Sequence, residues 1–225
     1  MNSLKSEEKE IYTNSIIPVE TNGKEFEILM EIYKIAMEQV EKELNQLKES
    51  FYNIYGYDII NNITTRIKTP KSIINKMKKK NYLLNYQNLI ENINDIAGVR
   101  ITCSLKSNID IIIKVIEQMP NMKILKVKDY IKKPKKSGYS GYHIIVETPV
   151  KIEKEQIPIK VEIQIRTMAM DFWATNEHKM KYKTNKKLSV MDSKKLKIYA
   201  KILNMLDEKV MKIYQKQNTK KSVIN

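Results

Sequence analysis

Four side chains of types that seek phosphate lie close together in the chain: Arg66, Lys68, Ser72 and Lys76. Ile59, Ile63 and Ile67 alternate with Asp58, Thr64, Arg66 and Lys68, the period of a strand with one buried face, so Arg66 and Lys68 project together. Pro70 ends that strand and opens a helix, which sets Ser72 in its first turn and Lys76 one turn later on the same face. Two carboxylates stand beside otherwise apolar strands, each with an arginine nearby: Asp95 with Arg100, and Glu162 with Arg166. Metal-assisted phosphoryl transfer needs this inventory. Carboxylates hold magnesium, cations bind the donor phosphates, and a carboxylate or water receives the proton of the attacking hydroxyl. Each acid taken singly also reads as an ordinary salt-bridge partner.

Other chemistries find fewer residues. His143 and His178 are the only histidines, too few for a zinc cluster or a histidine-rich hydrolase centre. No serine sits in a nucleophile elbow, and neither a Walker loop nor a GxGxxG fingerprint occurs. His178, beside Trp173 on a helix, reads as a structural histidine, and the lone Cys103 as core. A single cysteine excludes an intrachain disulfide. No apolar run approaches the roughly 20 residues that cross a bilayer, and residues 1–10 lack the apolar centre of a signal peptide, so a cytoplasmic setting is expected. The formal charge of +15 concentrates polyanions near the surface, whether nucleic acid, nucleotide or anionic membrane.

The elements that must position these residues follow from periodicity. Residues 1–23, with Pro18 and Gly23, read as a loose lead-in. A helix through residue 48 carries one apolar stripe from Phe26 to Leu47. After the strand at 57–68 and a second short helical stretch, Val99, Ile101, Cys103 and Leu105 mark a strand, Ile109 to Ile116 a helix, and 122–127 another strand. A cationic loop, Lys132 to Gly141, suits phosphates plus one base and feeds a strand over 142–148. Over 157–166, Ile159, Val161, Ile163 and Ile165 face one way while Lys160, Glu162, Gln164 and Arg166 face the other, a polar face that is either functional or solvated. Thr167 opens a helix. Ser189 or Asp192 caps a last one over 190–216, in which Leu196, Tyr199, Leu203, Leu206, Val210 and Ile213 make a heptad seam. That seam serves either its own domain or a subunit contact. A single domain is expected over 24–216, with a frayed tail at 217–225.

Taken in order, the motifs are more specific than any one of them: Arg66-Ile-Lys68 with Ser72 and Lys76, Asp95-Ile-Ala-Gly98-Val-Arg100, Lys128-Asp-Tyr-Ile, Pro134-Lys135 with Gly138-Tyr139 and His143, Glu162-Ile-Gln164-Ile-Arg166-Thr167, then Met170-Asp-Phe-Trp173-Ala and Glu177-His178. From about Asp58 to Lys183 the chain resembles the RelA/SpoT-like (p)ppGpp synthetases, specifically the small alarmone synthetases of the RelQ type. The resemblance implies an α/β (α+β) fold of nucleotidyltransferase type, a mixed central sheet flanked by helices. It implies transfer of pyrophosphate from ATP to the 3′-hydroxyl of GTP, GDP or GMP, with Mg2+ as cofactor. Arg66, Lys68, Ser72 and Lys76 would bind the ATP phosphates and Arg100 would pack on adenine. Asp95 and Glu162 would coordinate magnesium, Glu162 also activating the acceptor hydroxyl. Tyr139 would stack on guanine, Gln164 would lie beside the acceptor, and Lys128, Lys135 and His143 would hold its phosphates. The same resemblance implies a homo-oligomer, a tetramer, and regulation by alarmone or single-stranded RNA.

One position departs from the family pattern: Ser140 and Gly141 follow Gly138-Tyr139 where an arginine or glutamine and then a serine are usual, which bears on acceptor preference. The hydrolase half of the long members depends on a His-Asp pair, but here Ile144 follows His143 and Lys179 follows His178. Two rival classes remain. A non-catalytic RNA-binding protein would suit +15 and thirteen tyrosines, but no RRM signature, KH loop or zinc knuckle is present. A polymer-extending nucleotidyltransferase would need a closely spaced acid pair that this chain lacks.

Overall fold

The computed structural model describes residues 19, 21, 23–182 and 189–221. Most of the lead-in expected over 1–23 lies outside them, as does the end of the tail, 222–225. Helix α1, Lys24–Tyr55, runs past residue 48 because its buried stripe continues through Leu47 to Phe51. It stops at Gly56, whose φ of +70° is left-handed and whose N–H returns to the Tyr52 carbonyl at 2.9 Å. Burying a Leu or Phe side chain contributes roughly 1.5–3 kcal/mol, so this face, more than intrinsic helix propensity, holds α1 on the sheet.

The chain continues through β1 (Ile60–Ile67), α2 (Pro70–Lys79), α3 (Tyr86–Asn92), β2 (Ala97–Cys103), α4 (Lys106–Ile116), β3 (Lys123–Asp129), β4 (Tyr142–Ile152), β5 (Glu155–Thr167), α5 (Met168–Tyr182) and α6 (Val190–Lys221). The five strands form one mixed sheet in the order β1-β2-β5-β4-β3. Only β2 and β5 run parallel; the other neighbours are antiparallel. This is the mixed sheet with flanking helices that the family resemblance implied. Val99, Ile101 and Cys103 of β2 join Val161, Ile163 and Ile165 of β5, the α1 stripe, and Ile109, Ile112 and Ile116 of α4 in one core.

Two expectations are corrected. In β1 the register breaks between Ile60 and Asn62, so Ile59 and Ile60 are both fully buried, and even alternation holds only beyond that irregularity. In α6 the helix is capped by Ser189, whose hydroxyl accepts the Asp192 N–H at 3.0 Å and donates to its carboxylate at 2.7 Å, and its span runs on to Lys221, past the expected end at 216. Its heptad seam divides between two faces. Ala200 and Asp207 are buried and Leu196 and Leu203 half-buried against the chain's own domain, while Tyr199, Leu206, Val210 and Ile213 are exposed together with Ile202 and Met205. The Thr167 hydroxyl donates to Asp207 at 2.7 Å and the Lys106 ammonium to the Asn204 carbonyl at 3.2 Å, so α6 is tied to the end of β5 and the start of α4.

Candidate active site

Strand register builds the site. Lys128 of β3 pairs with His143 of β4, His143 with Gln164 of β5, and Gln164 with Arg100 of β2, a row running across the sheet. In the next row Arg66 of β1 pairs with Gly98, and Gly98 with Glu162. Side chains in both rows share the face opposite the apolar residues, since neighbours along a strand alternate. A cavity of about 620 Å³ opens there, lined by all of the expected site residues except Lys68 and Ser72.

The two exceptions have plain reasons. Ser72 is exposed, and its hydroxyl accepts from Thr69, the α2 N-cap. Lys68 stands one bond behind the wall: its ammonium donates to Asp95 at 2.9 Å while that of Lys76 donates to the other oxygen at 2.8 Å. Asp95 is thus clamped by both lysines. Burial alone would raise its carboxyl, but hydrogen bonds from Lys76 and Lys68 outweigh that and hold it below the usual range.

Around Glu162 the polar face of β5 is neither solvated nor idle. Glu162, Gln164 and Arg166 are all buried and close a ring of hydrogen bonds with His143 and Tyr139. Arg166 donates to the Tyr139 hydroxyl at 2.8 and 3.2 Å and to the Gln164 carbonyl at 2.7 Å; Gln164 donates to Glu162 at 2.6 Å. Burial depresses His143 even against the pull of Glu162, so the imidazole is neutral at neutral pH. One tautomer then satisfies every contact: Nδ1–H donates to Glu162 at 3.0 Å, and the Tyr139 hydroxyl donates to Nε2. Burial pushes the Tyr139 phenol up, which keeps that proton in place. Burial would raise Glu162 too, but its hydrogen bonds from His143 and Gln164 prevail and keep it ionised.

Lys135 lies between two rings, its ammonium 4.5 Å from the Tyr130 centroid and 4.6 Å from that of Tyr139. Burial draws its pKa down, against the charge of Glu162. The Tyr139 ring is 8% exposed, with the Arg166 guanidinium 5.0 Å from its centroid. Arg100, half-buried, meets the Asp171 carboxylate at 3.3 Å.

Asp95 and Glu162 are the carboxylates lining the cavity among the described residues, and no cluster of three His, Cys, Asp or Glu side chains occurs there. Two hard oxygen donors suit magnesium, which keeps several waters and takes its remaining oxygens from phosphates.

Residues 65–187 match the family described as a region found in RelA / SpoT proteins. The chain is 40% identical over 171 residues to GTP pyrophosphokinase YwaC of Bacillus subtilis, covering 76% of this chain and 81% of that protein. The chain belongs to the RelA/SpoT family. Within it, GTP pyrophosphokinase YjbM of the same organism is 33% identical over 162 residues, 72% of this chain and 75% of that one. The structure of B. subtilis small alarmone synthetase 1 bound to its product pppGpp superposes with a TM-score of 0.80 at 30% identity, covering 86% of this chain and 98% of that one.

Against that family background, Arg166, Asp171 and Tyr130 are residues for which sequence reasoning had no role, and His178, read from the sequence as structural, lines the cavity together with Thr175 and Lys179. Arg166 shares the β5 face with Glu162 and Gln164, and that period of two was the available signal. Asp171 and Tyr130 lay inside quoted motifs, but nothing local shows that Asp171 meets two arginines or that Tyr130 meets Tyr139 and His143.

Proposed function

We infer that this chain is a GTP pyrophosphokinase, transferring pyrophosphate from ATP to the 3′-hydroxyl of a guanine nucleotide to make an alarmone. The observation that carries this reading is the division of one cavity by strand order. Arg66, Lys76 and Arg100 come from the β1–β2 side, Lys128, Lys135, Tyr139 and His143 from the β3–β4 side, and Glu162 stands on β5 between them. Two anionic substrates brought in from opposite sides meet at a carboxylate.

In the transfer, the acceptor 3′-oxygen forms a bond to the ATP β-phosphorus, the bridging bond to the α-phosphate breaks, and AMP leaves. The ATP phosphates take the ammonium groups of Lys68 and Lys76 away from Asp95, which frees that carboxylate. Magnesium held by Asp95 and Glu162 would neutralise charge on the donor phosphates. Glu162 keeps unshared lone pairs on both oxygens and accepts the 3′-hydroxyl proton; held ionised, it is a weak base, so orienting the hydroxyl is the larger part of its work. A guanine stacking on Tyr139 displaces Lys135 from the ring. A cation–π contact contributes roughly 0.5–2 kcal/mol and a charge-assisted bond to phosphate more, so the exchange runs towards the acceptor phosphates.

The exposed apolar residues of α6 support self-association through that helix. No helix among the described residues is long and apolar enough to cross a membrane, in keeping with the cytoplasmic setting of this reading. Incubating the protein with ATP, Mg2+ and GTP, GDP or GMP in turn, then resolving nucleotides by anion exchange, tests the function and ranks the acceptors. Absence of AMP and of a 3′-pyrophosphorylated product with every acceptor would refute it.

A further inference from the structure

Asp171 sits in the first turn of α5, directly after β5, where the Thr167 hydroxyl caps the helix by accepting the Met170 N–H at 3.2 Å. One of its oxygens, Oδ1, accepts a hydrogen bond from Arg166 Nη1 at 2.9 Å and forms an ion pair with Arg100 Nη1 at 3.3 Å. The two arginines are otherwise held very differently. Arg166 keeps the Tyr139 hydroxyl and the Gln164 carbonyl, whereas the Nε of Arg100 is buried without a hydrogen-bond partner. Arg100 is therefore aimed by Asp171, and Arg166 is not. The two guanidiniums also repel each other across a half-buried space.

We propose that Asp171 is a positioning residue that aims Arg100 at the donor nucleotide and links the donor side of the cavity to the acceptor side through Arg166. From Arg100 the path runs through Asp171 Oδ1 to Arg166, then to Tyr139 directly and to Glu162 through Gln164. Because both arginines share one oxygen, whatever draws Arg166 towards new negative charge leaves Oδ1 more fully to Arg100. An anionic acceptor bound near Arg166 does this, so its binding steadies Arg100 and tightens the donor. By linkage the donor must tighten the acceptor by the same factor. The inference rests on the assignment of donor and acceptor sides made above.

The test is equilibrium binding of an α,β-methylene ATP analogue, which cannot be split at the reacting bond, with and without saturating guanine nucleotide. In wild type the acceptor should tighten the analogue by about fivefold or more. Asp171→Asn, with an unchanged circular dichroism spectrum, should weaken the analogue about tenfold, the guanine nucleotide far less, and abolish the coupling. Asp171→Glu should recover most of the analogue affinity. On an Arg100→Gln background, Asp171→Asn should weaken the analogue no further. The proposal is overturned by independent, multiplying effects of the two substitutions or by equal loss of both ligands in Asp171→Asn. Absence of coupling in wild type overturns it as well, a measurement that does not depend on how any variant folds. A wild-type protein that makes alarmone but shows any of these results loses only Asp171's role; one that binds neither nucleotide loses the functional reading as well.

Discussion

Gly138 closes the loop that carries Lys135 and Tyr139: its N–H donates to the Lys135 carbonyl at 2.8 Å, and the Lys135 N–H returns to Tyr139 at 3.0 Å. Its φ is +90°, and a Cβ added there would overlap the Cβ of Ala200 on α6. Gly138→Ala therefore meets two penalties. Left-handed backbone costs a residue with a Cβ roughly 1–2 kcal/mol. Forcing an extra methyl into a packed contact costs typically about 1–3 kcal/mol. Neither neighbour yields easily, since Ala200 is a short side chain on a helix tied down by Asp207. The sum, about 2–5 kcal/mol, is a fall of about 4–20 °C in Tm for a domain of this size. Ala200→Gly separates the two penalties: it costs about 1 kcal/mol alone as a helix-interior glycine, but in the double variant it relieves the overlap and leaves the φ strain. The assay is thermal and urea unfolding of the four proteins, together with KM for acceptor and for ATP. The acceptor KM should rise in Gly138→Ala and fall back in the double variant while the ATP KM stays near wild type. A Gly138→Ala protein within about 0.5 kcal/mol of wild type, or an Ala200→Gly substitution that destabilises the Gly138→Ala protein as much as it does wild type, would refute the packing argument.

Glu162→Gln should fold yet lose about 10²-fold or more in kcat, because the amide presents one acceptor where His143 and Gln164 now donate to two, and it no longer accepts the hydroxyl proton; a near wild-type rate would end Glu162's assignment. Burial pushes the Cys103 thiol up to about 12, so at pH 8 a disulfide reagent should modify the folded protein at least about 10³-fold more slowly than the urea-unfolded chain. Asp95 has its carboxyl held below the usual value, so its stabilisation is full above the unfolded pKa and lost as pH falls through the folded one. The gap in urea-unfolding stability between wild type and Asp95→Asn should accordingly be full at neutral pH and shrink as pH falls below the ordinary aspartate range, about pH 4. Leu206→Glu with Val210→Glu, both exposed on the outer face of α6, should lower the mass seen by light scattering with little change in catalysis per chain; a monomeric wild type would leave that face without a partner.

Much of this protein was legible residue by residue. Alternation along 157–166 separated Ile159, Val161, Ile163 and Ile165 from Glu162, Gln164 and Arg166, because a strand buried on one face must repeat every two residues. The α1 stripe and the Ser189 cap were readable for similar local reasons, as was Pro70 at the start of α2. Ordered motifs named the family and many of the residues that line the cavity, though Lys68 and Ser72 lie off it and Tyr130 and Arg166 had no role in that reading. Contacts between segments distant in sequence were not readable, since spacing carries no record of register or of which helix face turns inward. The parallel pairing of β2 with β5 sets Gly98 beside Glu162 and Arg100 beside Gln164, and no periodicity in either strand specifies that match. The α6 seam had a regular heptad pattern, yet Ala200 and Asp207 face the domain while Leu206 and Val210 face out, because Gly138 and Thr167 supply the partners. Asp171 is the sharpest case: its type and position in α5 are plain in the sequence, but two arginines reach one of its oxygens only after β2 and β5 have paired and α5 has folded back over them.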